Sequence, residues 1–208
     1  MAVRPAVTLG KYIMMSDWGW SLEQLTWNWR GMEGKPMTVN IYSRSPKVKL
    51  YLNDKLVGEK ETGRENYIAT FEVPYEPGIL KAVNAQSKEE FILKTTGKPS
   101  AIRLTADRDK IKASRNDLSY VKIELIDKDG NVVPDTSLPV SIQCSGNGHI
   151  IAAGNAAYDD MKSFRSLTPN TFRGKAMAIV QPDEAKGTIQ LTVSAEGLED
   201  VSILIKVE

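Results

Sequence analysis

The sequence predicts an all-β protein made of two consecutive immunoglobulin-like antiparallel β-sandwiches. Short segments that alternate apolar and polar residues recur from residue 37 to the end, and this period of two is typical of half-buried strands. Turn residues separate these segments, and few stretches show a helical period. A short polar linker at residues 95–99, with Gly and Pro, divides the strands into two halves of about 100 residues, the size of an immunoglobulin-like domain.

The strands of the first half follow Pro36. Val48, Leu50 and Leu52 point to one side of a half-buried strand, and Asn53 with Asp54 predicts a hairpin turn after it. Strands are predicted at residues 37–42, 48–52, 56–58, 67–73, 79–83 and 90–94.

The second half repeats this organisation beyond the linker, without a residue-level repeat of the first. Strands are predicted at residues 102–105, 121–125, 139–144, 149–153, 176–181, 188–195 and 201–207. Residues 155–173, called the excursion below, form the long irregular segment of this half. We therefore predict three regions: a lead-in with a tryptophan-rich segment that packs on the first sandwich, that sandwich, and the second sandwich, at residues 1–36, 37–97 and 98–208.

Composition and charge exclude several classes of partner. The 208 residues are 41% hydrophobic and 25% charged, an ordinary globular mixture. The formal net charge of +1 predicts no general attraction to nucleic acid or to an anionic membrane. The sequence has no run of about 18 apolar residues, so no transmembrane helix is predicted. The first residues do not resemble a signal peptide, because Arg4 and Pro5 interrupt a short apolar stretch.

The chain has one cysteine, Cys144, and one histidine, His149. Cys144 stands in a strand-like run and is interpreted as a small buried hydrophobic residue. A Ser-His-Asp triad would require His149, which instead stands where a turn leads into a strand. One Cys and one His are too few for a zinc site, and residues 127–131 lack the Glu that closes a calcium loop. The sequence therefore predicts no metal ion and no cofactor.

All four tryptophans, Trp18, Trp20, Trp27 and Trp29, lie in residues 16–36, which have no steady helical or strand period. A tryptophan can bury up to about 250 Å², and exposed apolar surface of that size marks contact sites. The residues leave three possibilities open: the indoles pack against another domain, stack on a sugar ring, or close the end of a nearby sandwich core. All four are candidates for sugar or interdomain contact.

Residues 27–36 read W-N-W-R-G-M-E-G-K-P and resemble a segment of family 2 glycoside hydrolases, the β-galactosidase group. In that family the segment opens the β-sandwich domains that follow the catalytic barrel. The resemblance covers residues 16–208, and its other motifs lie at residues 73–83, 97–104, 118–121 with 127–134, and 172–176.

The resemblance implies a non-catalytic C-terminal region whose partner is the catalytic barrel of the same parent chain. The tryptophan segment would pack on that barrel or help to shape the rim of its sugar site. The family's two catalytic glutamates lie in a barrel of about 250 residues, for which this chain is too short. No segment matches the catalytic motifs, so no catalytic residue is predicted. Glu23, Glu33, Asp159 and Asp160 are interpreted as surface or capping groups. The family often works outside the cytoplasm, which implies a periplasmic or extracellular parent protein.

Two other functions remain open. One is a carbohydrate-binding module that takes a galactoside or an oligosaccharide. Its stacking platform would consist of Trp18, Trp20, Trp27 and Trp29 with Tyr42 or Tyr51. The other is a cell-surface adhesion or spacer sandwich, which predicts neither sugar binding nor an upstream barrel.

Overall fold

A computed structural model of the chain describes residues 1–6 and 23–208, and all regular secondary structure in these residues is β-strand. The chain divides into two compact units, Met1–Thr95 and Thr96–Glu208. The first unit contains β1 (Ala2–Pro5), β2 (Pro36–Tyr42), β3 (Lys47–Leu52), β4 (Lys55–Glu61), β5 (Ile68–Pro74), β6 (Ile79–Asn84) and β7 (Glu90–Lys94). The second contains β8 (Ala101–Ala106), β9 (Lys110–Ile111), β10 (Ser119–Ile126), β11 (Val140–Gly146), β12 (Gly148–Gly154), β13 (Lys175–Pro182), β14 (Gly187–Ala195) and β15 (Val201–Val207).

The first unit has a three-stranded sheet, β1-β2-β5, and a four-stranded sheet, β4-β3-β6-β7, both antiparallel. Alternate side chains of both sheets enter one core. Val39 and Phe71 come from the first sheet and Leu50 and Leu80 from the second, and each is at most 3% exposed. Each such side chain contributes about 1.5–3 kcal/mol by leaving water.

Asn53 holds the predicted hairpin turn to a second turn of the first unit. Asn53 and Asp54 have φ angles of 50° and 61°, the backbone that a two-residue turn between twisted strands requires. The Asn53 amide donates to the Pro77 carbonyl at 3.1 Å and to a Glu76 carboxylate oxygen at 3.1 Å. Its own oxygen accepts from the Ile79 N–H at 2.9 Å, so one side chain ties the β3–β4 turn to the start of β6.

The second unit pairs the sheet β12-β13-β10-β8 with the sheet β11-β14-β15-β9. Its core is filled from alternate positions of both sheets, including Ile123, Val180, Leu191 and Ile205, all 0% exposed. β9 runs parallel to β15, and the other ladders of the unit are antiparallel.

The all-β prediction of two sandwiches is confirmed, with two strands that the sequence pattern did not indicate. β1 pairs with β2 inside the region interpreted as a lead-in, and its Val3 is fully buried. Four residues are too few to show a period, and Pro5 conceals the strand although an edge position tolerates proline. β9 is only Lys110–Ile111 and is a strand because β15 lies beside it.

Candidate functional site

Trp27 lies in the core of the first unit and is 0% exposed. Its indole N–H donates to the Glu76 carbonyl at 2.9 Å, and its ring meets the Tyr75 ring edge-on with centroids 5.1 Å apart. Its carbonyl accepts from the Tyr75 hydroxyl at 3.2 Å and from the Thr95 hydroxyl at 2.7 Å. Polar and apolar parts of this residue are therefore both satisfied by strands and turns of one unit, and no indole face is open to a ligand.

Trp29 is half-buried against the same core. Its backbone N–H donates to the Tyr75 hydroxyl at 3.2 Å, and its indole N–H donates to the Thr26 carbonyl at 3.3 Å. The Thr26 hydroxyl accepts from the Asn28 N–H at 2.9 Å, which closes a tight local turn. The Tyr75 hydroxyl thus accepts from the Trp29 backbone while it donates to the Trp27 backbone, and one phenol joins the two residues.

Two glycines shape the segment that follows Trp29. Gly31 and Gly34 have φ angles of +79° and +74°, the left-handed region that costs glycine little. A Cβ at either position would meet no atom within 4 Å. Glycine is therefore favoured there by the backbone conformation and not by a lack of space for a side chain. Gly34 then donates its N–H to the Tyr75 carbonyl at 2.8 Å, and the Tyr75 N–H donates to the Lys35 carbonyl at 2.9 Å. The turns aim the chain into β2.

Two of the four candidate tryptophans, Trp27 and Trp29, lie within the described residues. Trp18 and Trp20 lie outside the described residues, and sugar or interdomain contact by them stays a prediction. The two tyrosines named with them lie on different sheets. Tyr42, on β2, is 51% exposed, whereas Tyr51, on β3, lies half-exposed with the Lys81 ammonium 5.5 Å from its ring centroid.

Glu23 has partners that the sequence did not reveal. One carboxylate oxygen accepts from the Asn40 amide at 2.5 Å, and the other accepts from the Tyr42 hydroxyl at 2.6 Å. The Asn40 oxygen in turn accepts from the Thr70 hydroxyl at 2.8 Å. The bond to the carboxylate raises the pKa of the Tyr42 phenol. These contacts tie residue 23 to β2 and β5. Glu33 is exposed.

Glu124 and Asp127 are buried carboxylates of the second unit, each 3% exposed. Burial alone would raise the pKa of Glu124, but Arg103, whose guanidinium lies 2.9 Å away, and Lys122, at 3.1 Å, lower it overall. Burial would likewise raise the pKa of Asp127. Hydrogen bonds from the N–H groups of Gly97 at 3.0 Å and Asn131 at 2.9 Å lower it overall. Both groups are held ionised by structural partners.

Cys144 lies on β11 and His149 lies on β12. Cys144 is half-buried, and its thiol lies 3.5 Å from the Gly148 carbonyl. Burial raises the pKa of that thiol, and the charge of Asp183 adds to the effect. Nδ1 of His149 lies 3.2 Å from a carboxylate oxygen of Asp183 in an exposed pair. In residues 1–6 and 23–208, no three His, Cys, Asp or Glu side chains converge as a metal site would require.

The part of the chain that the structure describes contains no helix able to span a membrane.

Two protein families match the chain, one in each unit. The glycoside hydrolase family 2 C-terminal domain 5 matches residues 102–204. A domain of unknown function, DUF4982, matches residues 34–91. Trp27 and Trp29 lie just before the second of these matches.

Longer proteins are similar over nearly the whole chain. Beta-galactosidase BoGH2A of Bacteroides ovatus is 32% identical over 185 residues, which are 88% of this chain and 22% of that protein. A beta-glucuronidase of Formosa agariphila is 28% identical over 187 residues, 86% of this chain and 19% of its own length. The chain thus spans about a fifth of the length of these relatives. The crystal structure of a glycosyl hydrolase family 2 member from Bacteroides cellulosilyticus superposes on all of the chain with a TM-score of 0.92 at 33% identity, over 28% of its own chain.

Proposed function

Since the chain belongs to the C-terminal domains of glycoside hydrolase family 2, we propose that it is a non-catalytic accessory region of a β-galactosidase-like enzyme. Its role is to support the catalytic barrel of the same polypeptide. The observation that carries the proposal is architectural: the strands of the described residues build two sandwiches, each around its own core. A retaining glycosidase instead needs a site where two carboxyl groups face one bond, about 5 Å apart.

The chemistry of the buried carboxylates supports this proposal. A general acid for glycoside cleavage needs a carboxyl group whose pKa is raised toward the working pH. Glu124 and Asp127 are the buried carboxylates of the described residues, and their partners lower both pKa values. A group held ionised in this way stabilises the fold and does not deliver a proton.

The surroundings of Trp27 support an accessory role for the tryptophan segment. Burial of this indole, with bonds to Glu76, Tyr75 and Thr95, fixes residues 26–29 to the first unit. A segment anchored at that point can carry neighbouring residues toward the barrel or toward the rim of its sugar site.

The direct test is incubation of the 208-residue chain with chromogenic β-galactosides and β-glucuronides. We expect no hydrolysis above the buffer rate, and turnover would contradict the proposal. The second test is the gene around this chain. A coding region for a barrel with two glutamates at strand ends is expected, and its absence would contradict the accessory role.

A carbohydrate-binding module is the second candidate, and Tyr42 is the observation in its favour. This ring is 51% exposed and lies beside Glu23 and Asn40, the polar groups that sugar hydroxyls bind. Calorimetric titration with galactosides tests it. Binding that Tyr42→Ala abolishes, and that Tyr120→Ala on the second unit leaves intact, would favour this candidate.

A further inference from the structure

The excursion is pinned to two sheet edges of the second unit. β11 and β12 are edge strands of different sheets. Three of their backbone N–H groups donate to excursion carbonyls: Val140 to Pro169 at 2.9 Å, Ile142 to Leu167 at 2.8 Å, and Ala153 to Phe164 at 2.7 Å. Unpaired edges are a hazard for aggregation, and the excursion covers both on one side of the sandwich. It is therefore part of the fold and has a defined shape.

Side-chain hydrogen bonds within the excursion involve Asn155, Asp160, Lys162 and Asn170. The Asn155 amide donates to the Asp160 carboxylate at 2.5 Å and to the Asn170 carbonyl at 3.0 Å. Asp160 also accepts from the Lys162 N–H at 2.9 Å, and these bonds lower the pKa of its carboxyl group. The Lys162 ammonium donates to the Thr168 carbonyl at 3.0 Å and to Asn170 at 3.2 Å. These polar groups maintain the shape of the segment instead of presenting themselves to a ligand.

Four large apolar side chains of the excursion remain in water. Their exposed fractions are 74% for Tyr158, 94% for Met161, 66% for Phe164 and 45% for Leu167. The Phe164 ring packs over Gly154, which fixes its direction. Exposed apolar groups on an ordered segment mark a contact surface, and Tyr, Phe and Met are enriched at the cores of protein interfaces.

We propose that the excursion docks this region onto the catalytic portion of the same family 2 polypeptide. This inference rests on the function proposed above. The matched region is 22% of the first relative, so most of such an enzyme lies outside it and is available for this contact. A sugar site would need polar groups that converge on hydroxyls, whereas Asp160 and Lys162 are engaged within the excursion. The most exposed of the four apolar side chains, Met161, is a thioether without a flat face for stacking.

Oxidation of methionine by dilute hydrogen peroxide tests the docking at one side chain. The 208-residue chain is compared with the complete polypeptide of its gene, and sulfoxide at each methionine is followed by mass spectrometry. We expect oxidation of Met161 to slow by about fivefold or more in the complete polypeptide. Met177, 43% exposed on β13, serves as the exposed control, and Met37, 0% exposed, as the buried one.

Equal rates at Met161 in the two proteins would overturn the proposal. Protection already present in the 208-residue chain, and increasing with its concentration, would instead assign the surface to a second copy. Protection that appears only with added galactoside would assign it to sugar. A gene that encodes no barrel beside this chain would defeat the proposed function, and this outcome is distinguishable because it is read from the gene and not from oxidation.

A double variant supplies the second measurement. Tyr158→Ser with Met161→Ser removes exposed apolar groups without touching the core, and Leu204→Ser, 61% exposed on β15, is the matched control. In the complete polypeptide we expect the double variant to lower the midpoint of the unfolding transition in which these sandwiches take part. The control should leave it unchanged, and neither change should alter the 208-residue chain. An unchanged midpoint for the double variant would count against docking.

Discussion

Residues 26–29 and the excursion are both irregular segments with large apolar side chains, yet Trp27 of the first points into a core and Met161 of the second points into water. Trp27 is 0% exposed, whereas Met161 is 94% exposed. This difference in exposure follows from the location of the hydrogen-bond partners of each segment. The bonds of Trp27 come from Tyr75, Thr95 and Glu76 elsewhere in the first unit, while the side-chain bonds of the excursion close mostly on itself. An irregular segment turns inward when the surrounding sandwich supplies both a cavity and hydrogen-bond partners.

The largest expected effect on stability is at the buried Trp27. Trp27→Ala should lower the free energy of unfolding by about 3–5 kcal/mol, because it opens a cavity and removes the donor to the Glu76 carbonyl. Urea unfolding followed by circular dichroism measures it. A loss below about 1 kcal/mol would mean that Trp27 is peripheral to stability and would remove the contrast with the excursion.

Glu124 tests whether basic partners on β8 and β10 can keep a charged carboxylate buried in the second unit. Glu124→Gln should lower the free energy of unfolding at pH 7 by about 1.5–3 kcal/mol, because hydrogen bonds from Arg103 and Lys122 lose their charged acceptor. The pKa of Glu124 is below its ordinary value of 4.5 in the folded protein. Its contribution is therefore present above about pH 4.5 and lost as the pH falls through the lower folded value.

The measurement is unfolding of the wild type and Glu124→Gln between pH 7 and pH 3. The difference in free energy of unfolding between the two proteins should narrow toward the acid end. A difference independent of pH would show that the ion pairs do not hold this carboxylate.

Tyr75→Phe isolates the hydroxyl that joins the two tryptophan residues. The change leaves the Trp29 N–H without this acceptor and removes one of two donors to the Trp27 carbonyl. We expect a loss of about 1 kcal/mol in the free energy of unfolding. Tyr120→Phe, at a tyrosine 39% exposed on β10, is the matched control and should be close to neutral. Equal losses for both variants would contradict the positioning role of the hydroxyl.

The smallest expected effect on stability is at Met161, the exposed side chain of the excursion. Met161→Ser alone should change the free energy of unfolding of the 208-residue chain by less than about 0.5 kcal/mol, because the side chain is already in water. Thermal unfolding of this variant beside Trp27→Ala compares the two segments directly. A loss comparable to that of Trp27→Ala would show that the excursion packs its apolar groups inward in solution.

Strands were predictable because their signal is local. Val48, Leu50 and Leu52 alternate with polar residues, and all three are at most 8% exposed. The turn at Asn53 and Asp54 was predictable for the same reason, since these residue types tolerate positive φ. β9 was not predictable, because two residues show no period and its ladder depends on β15, nearly 100 residues further along the chain.

The candidate contacts depended on tertiary structure to a greater degree. The sequence left three kinds of contact open for the tryptophan side chains. The partners of Trp27 could not be identified from it, because they lie about 50 or more residues away in the chain. Glu23 had no recognisable partner in its neighbourhood because Asn40 and Tyr42 reach it only when β2 forms. The exposure of Met161 was equally invisible, since an irregular segment has no period from which an outward direction could be derived.

Local alternation and turn chemistry by themselves determined the all-β class and the two sets of strands, and sequence motifs such as residues 27–36 carried the resemblance to family 2 glycoside hydrolases. Only the tertiary structure decided which irregular apolar groups are buried, because burial depends on cavities and hydrogen-bond partners that distant strands create together. For that reason Trp27 became part of a core and Met161 became part of a surface, although both stand in segments that look alike along the chain.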